Sequence, residues 1–263
     1  MNKIKTIIRK EWAEVFKNRM VLFTVVFLPL MLTALPLAIL AATGGGDLAG
    51  DVGSAIPAQF EAFCPGNLSG GECFQTYLVS QFMMLFMILP LAIPATISAY
   101  SIVGEKTTRS LEPLLATPIT TAELLIGKGL AASIPAILAT YAAFGIFALA
   151  SFILVQNRVL LSALLDARWL LAVFVVGPLM ALLAVSVSIM VSSKVNDPRV
   201  AEQISMVVLI PLLAVFFGQL AGLFIINRQL ILAAAVALAL VDAVAVYLAV
   251  RLFQRETILT RWK

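Results

Sequence analysis

Histidine is absent from all 263 residues, and only 12% of them are charged. The first absence removes Ser-His and Cys-His hydrolase sites, histidine-bearing zinc sites and His-ligated haem together. The second, beside 62% hydrophobic residues and a mean hydropathy of +1.04, places the chain in a bilayer rather than in water. No GxxxxGK[ST] loop occurs either: "LIGKGL" (Leu125–Leu130) has one Gly-Lys pair without the preceding glycines that cradle phosphate, so no such ATP site is expected in this chain. The basic opening, Met1 to Lys5, is not followed by a cleavable apolar leader at signal-peptide spacing, and no cleaved leader is expected.

What is present is a series of apolar runs near the 20 residues a helix needs to cross a membrane: about 20–42, 77–103, 129–154, 169–191, 204–226 and 230–250. Prolines inside them (Pro29, Pro36, Pro90, Pro94, Pro135, Pro178, Pro211) predict kinked helices whose freed carbonyls neighbouring helices must satisfy. With six spans both termini share a side. Fifteen lysines and arginines fall on that side and three (Arg158, Arg168, Arg228) on the other, which puts both termini in the cytoplasm.

Residues 43–76 then form a long external loop, acidic and free of Lys and Arg. It holds the two cysteines, Cys64 and Cys73. Outside the cell these are expected to pair, closing a loop of ten residues worth about 2.7 kcal/mol in the chain-entropy picture; two free thiols are the alternative. On the inner side, Ile4, Ile7, Ile8, Trp12, Val15 and Phe16 recur at three- and four-residue steps among lysines and arginines, so residues 1–19 read as an amphipathic helix lying on the inner membrane surface.

The interior break in the apolar pattern is "GEKTTRSLEPLLATPIT", Gly104–Thr120, within a cytoplasmic loop 104–128. Leu111, Leu114 and Leu115 make a short apolar face, Ser110 or Glu112 can cap a helix with Pro113 in its first turn, and Thr117-Pro118 ends it. Thr120-Thr121-Ala122-Glu123 fits a capping box, so a second helix starts at Thr120 and carries Glu123 and Lys128 on its rim. An exposed helix with three leucines on one face needs a bilayer or a soluble partner to cover it, and the flanking charges favour a protein.

The order "EK..RSLEPLLATPIT..ELLIGK", Glu105 to Lys128, resembles the signature between the second and third spans of ABC-2 type permeases, the membrane subunits of bacterial and archaeal ABC exporters related to the sodium-exporter permease NatB. The likeness extends to "RKEWAEVFKNR" (Arg9–Arg19) and to "SSKVNDPRVAEQIS" (Ser192–Ser205), where Asp197 can cap and Pro198 can open the helix leading into span five. It implies an all-α fold of six transmembrane helices (20–263) with an N-terminal interface helix (1–19) and a short coupling helix. It implies a non-enzymatic subunit of an ATP-driven exporter in a prokaryotic cell membrane, with ATP and Mg bound by a separate ATPase chain. A second permease chain and membrane lipid are the other expected partners; nucleic acid is not. Carried over, Leu111, Glu112, Leu114, Leu115, Thr117 and Pro118 meet the ATPase, with Glu105 and Arg109 steadying the base. Arg109-Ser110 departs from the Gly-Thr of many members, and the external loop is longer than their hairpins.

Asp242 lies about twelve residues into the last span, where an ionised carboxylate costs roughly 3 kcal/mol on insertion scales. It reads either as a contact for a cation or polar substrate in the translocation pathway, or as a carboxyl hydrogen-bonded to a neighbouring helix through Ser186, Ser188 or Gln219. An ion- or proton-coupled secondary transporter is the competing class, but it wants inverted repeats and several intramembrane carboxylates.

Overall fold

The computed structural model describes residues 3–43, 70–107, 119–155, 157–223 and 226–252. Helix α1 (Lys3–Val15) precedes α2 (Arg19–Thr43), the first stretch long and apolar enough to cross a membrane. The second crossing is made of two pieces, α3 (Gly70–Phe86) and α4 (Leu89–Thr107), separated by Met87 and Ile88. Pro90 accounts for the break, because it lacks an N–H and disfavours helical backbone in the residue before it. The third crossing is one helix, α5 (Thr121–Leu154). The fourth joins α6 (Arg158–Leu164), α7 (Ala167–Leu171), a π-helical turn (Ala172–Val176) and α8 (Gly177–Lys194). The fifth runs through α9 (Pro198–Ser205), a 3-10 turn (Met206–Val208) and α10 (Leu209–Leu220), and the last is α11 (Arg228–Leu252). Among the described residues there is no strand, and six helical stretches meet the membrane-crossing criteria, so the all-α expectation holds.

Local chemistry sets most of the boundaries. The Thr120 hydroxyl accepts the Glu123 amide while the Glu123 carboxylate accepts the Thr120 amide, the reciprocal capping box expected at the start of α5. Asp197 accepts the amides of Arg199 and Val200, with Pro198 at the first position of α9. Gly222, at φ 72°, turns the chain after α10 in a conformation that suits glycine.

Helix α4 is the hub: residues 89–99 are buried without interruption, and it packs against α5, α8 and α9. Helix α8 also carries α11 on its other side, and α2 lies across α3 and α5. The crossing containing α3 and α4 is 83% buried over its apolar window against 22% for the first and last, which leaves those two with faces turned outward, such as Phe23, Phe27 and Leu30 or Val236, Leu240 and Tyr247.

The proline expectation is met in two places. A proline at position 178 cannot donate to Phe174, four residues back; the π-helical turn relaxes the clash there, and the Tyr141 hydroxyl of α5 donates to the Phe174 carbonyl at 3.5 Å. Pro135 likewise leaves the Ala131 carbonyl without its helical donor, and the Trp12 indole N–H of α1 takes that place at 2.9 Å.

Helix extends into two of the stretches read as loops, and α1 has a protein contact beyond the expected lipid one. Within the stretch 43–76 helix resumes at Gly70; Cys73 sits in the first turn of α3, buried, while Cys64 and its expected pairing lie outside the described residues. Within the inner stretch 104–128, α4 extends to Thr107 and α5 begins at Thr121 with Thr120 as its cap, where the second helix was expected to start. The N-terminal helix is amphipathic as expected, but it turns its most buried stripe, Ile7, Glu11 and Val15, toward protein; it packs on α5 and α4 rather than resting only on lipid.

Candidate functional site

Helix α1 runs beside the first turns of α5 in the same direction. Lys3 pairs with Glu123 at 3.5 Å, Ile7 lies on Gly127, Glu11 meets Lys128, and Trp12 reaches Ala131. Glycine is required at 127, because a Cβ there would meet the Ile7 side chain at 2.9 and 3.0 Å.

This close approach brings charges together out of water. The side chains of Lys128, Glu11 and Glu105 are 2%, 3% and 5% exposed. The Lys128 ammonium donates to Glu11 Oε1 at 2.7 Å and to Ser101 Oγ at 2.9 Å, and its nitrogen forms an ion pair with Glu105 Oε2 at 2.8 Å. The Ser101 hydroxyl donates to the other oxygen of Glu11, closing a ring of three groups. Lys10, at the rim, donates to Glu105 and stands 3.6 Å from Glu11 and 3.3 Å from Glu14. Two ammonium groups thus balance two buried carboxylates, which is the condition under which buried charges are tolerated.

The electrostatics follow from that arrangement. Burial pushes the Glu11 carboxyl up, but the Lys128 charge, the hydrogen bonds from Lys128 and Ser101, and Lys10 outweigh it and hold the group below its ordinary value of 4.5. Burial pushes the Lys10 ammonium down, but its hydrogen bond to Glu105 and the charges of Glu105, Glu11 and Glu14 carry it above its ordinary 10.5.

The cluster sits where α4 ends and α5 begins, at the two flanks of segment 108–118. Next to Glu105, Lys106 donates to the carbonyls of Ser193 and Val195, capping the end of α8. Thr96 donates to Glu202 at 2.6 Å and ties α9 to the same helix. The end of α4 is therefore fastened to α1, α5 and α8.

Of the residues singled out in the sequence, Glu105 is in this cluster. Arg109, Leu111, Glu112, Leu114, Leu115, Thr117 and Pro118 lie outside the described residues. Lys128, expected on the rim of α5, is instead buried in the cluster's centre. Glu11 escaped notice, although a signal existed: on a helical wheel it falls between Ile7 and Ile4, inside the apolar arc of α1, where a carboxylate needs a partner.

Asp242 is 2% exposed on α11, which packs chiefly on α8, and neither of its carboxylate oxygens has a hydrogen-bond partner among the described residues. The expected bonds to Ser186, Ser188 or Gln219 are not made: Ser186 donates to Leu182, Ser188 donates across to Ala95, and the Gln219 side-chain oxygen is itself without a partner. Both serines spend their protons on backbone carbonyls, as hydroxyls in apolar helices commonly do. At the start of α11 an open groove of about 780 Å³ lies between the second, fourth, fifth and last crossings, lined by Met84, Met87, Trp169, Met180, Leu212 and Ile231. Its size is that of a small-molecule site and its walls suit hydrocarbon.

A family model described as ABC-2 family transporter protein matches residues 5–235. The chain belongs to the ABC-2 transporter family. As an ABC-2 chain it is a multi-pass membrane transport subunit, of a family that works with an ABC ATPase partner and is generally not catalytic itself. The match covers α1 from its third residue and the whole ion cluster, as well as the crossings up to the first turns of α11. No curated protein matches the chain.

Proposed function

We propose that this ABC-2 chain is the permease of an ATP-driven exporter in a prokaryotic cell membrane, and that segment 108–118 is where a separate ATPase, carrying the ATP and Mg, grips it. In this reading both termini are cytoplasmic, as the fifteen-to-three bias of basic residues favours. Two such chains form the pathway, with Cys64 and Cys73 joined on the far side. Leu111, Glu112, Leu114, Leu115, Thr117 and Pro118 face the ATPase, and Glu105 and Arg109 steady the base.

One observation carries the reading: the two helices flanking 108–118 are fastened to each other and to α1 by a buried ion cluster. A loop that only connected two spans would not need its ends held by charges withdrawn from water, since that arrangement is costly unless position matters. ATP binding would then draw the segment toward the ATPase and bias the bundle between inward and outward access through differential contacts. Gradient-driven transport has less support, because family membership points to an ATPase partner.

The test is co-purification of the neighbouring-gene ATPase with the wild-type chain and with Leu114→Asp plus Leu115→Asp. Recovery should fall sharply in the variant while its yield in the membrane stays level. Equal recovery refutes the docking role.

A further inference from the structure

Three contacts between α1 and α5 share one register. Ile7 fills the notch left by Gly127, Glu11 meets Lys128 one residue later, and Trp12 donates to the carbonyl that Pro135 frees at Ala131. A helix that only rested on lipid would need none of them. Sliding α1 by one residue would drive Ile7 off its glycine, strand Glu11 and leave the Ala131 carbonyl without a donor, so the contact has one stable setting. Lys128 stands at the crossing of three elements: α1 through Glu11, the end of α4 through Ser101 and Glu105, and α5, which carries it.

We propose that Lys128 and Glu11 are positioning residues for energy coupling: they lock the N-terminal helix to the end of α4 and the start of α5, so that these three helix ends travel as a single body. The inference rests on the reading of 108–118 as the ATPase docking segment, and adds that α1 is part of the moving lever rather than a fixed membrane anchor. Neither residue touches cargo; both act through the helices they join.

The experiment places spin labels at Lys5 and Ala122, exposed positions on α1 and α5, by cysteine substitution in a Cys64→Ser, Cys73→Ser background. The permease–ATPase complex in lipid nanodiscs is measured by pulsed electron resonance, empty and trapped with ATP and vanadate. With Lys128 and Glu11 intact, the distance should be narrow and the same in both states. Lys128→Met should lose the narrow distance while the variant keeps the parent's membrane yield and elutes at the parent's position on size exclusion, an outcome that loss of folding would not produce. Should that variant not fold, Glu11→Gln, which keeps the side-chain volume nearly unchanged, asks the same question. A distance that shifts on trapping in the parent complex, or stays narrow in the variants, overturns the joint. Failure of the ATPase to bind at all would sink the docking reading instead, and the two failures are distinct.

Discussion

Replacing Lys128 by methionine keeps an unbranched side chain of similar length and deletes the ammonium at the centre of the buried cluster. Glu11 and Glu105 would remain, 3% and 5% exposed, with Lys10 as the ammonium still in reach. Removing one partner of a buried pair costs about 3–5 kcal/mol, because the charge left behind has neither water nor counter-ion. Here the lower end, about 3 kcal/mol, applies, since Glu11 keeps the Ser101 hydroxyl and Lys10 stands 3.6 Å away. Adding Glu11→Gln removes the stranded charge and leaves Glu105 balanced by Lys10. The double variant should therefore recover about 0.5–3 kcal/mol of the loss, the range of coupling energies between touching residues. Reversible denaturation in mixed micelles, followed by Trp12 fluorescence in a Trp169→Phe, Trp262→Phe background, measures all four corners of the cycle. Strictly additive losses, or a double variant less stable than Lys128→Met alone, would show that the two residues do not share a buried charge balance and would refute the reasoning.

The same Trp12 signal should report pH. Glu11 is held below 4.5 in the folded chain, so its contribution is complete above that value and disappears only as pH falls through the lowered one. Docking of α1 should thus survive pH 4.5 and loosen below it; loosening well above 4.5 would contradict the assigned partners. Lys10 is raised, so its contribution is complete below 10.5 and is lost only as pH climbs past the raised value. Trp12→Phe should cost about 1–3 kcal/mol by orphaning the Ala131 carbonyl, and clearly less in a Pro135→Ala background, where the helix regains its own donor; equal costs in both backgrounds would dissociate the indole from the proline. Asp242→Asn should leave stability unchanged or improved, because the carboxylate has no hydrogen bond to lose; a marked loss in the same denaturation assay would mean that a partner holds it.

Features written in adjacent residues were legible. Thr120 and Glu123 state their capping box within four positions, Asp197-Pro198 announces a helix start, and the apolar runs announce the crossings because a bilayer demands their length. Glu11 and Lys128 were not legible as a pair. They are 117 positions apart, each beside other polar or small residues, and only the packing of α1 on α5 brings them within 2.7 Å. Glycine at 127 is half of that story, yet in sequence it reads as one small residue among many in an apolar helix. The start of α3 was hidden for a different reason: Gly70 and Gly71 look like loop, but Glu72 in the first turn complements the helix dipole. Proline positions forecast freed carbonyls; which side chains would answer them, Tyr141 and Trp12, depended on neighbours the sequence does not name.

Helix α5 is a single rod of 34 residues, about 50 Å at 1.5 Å per residue, while the hydrocarbon it crosses is about 30 Å thick. About two fifths of it therefore stands clear of the oil. Gly127, Lys128 and Ala131 all lie near the docking end, and there Trp12 splints the backbone one turn ahead of the Pro135 weak point. With that joint stiffened, a swing of about 5° applied at Thr121 would carry Leu154 sideways by about 4 Å, enough to part or close side chains across a pathway without unfolding a single turn.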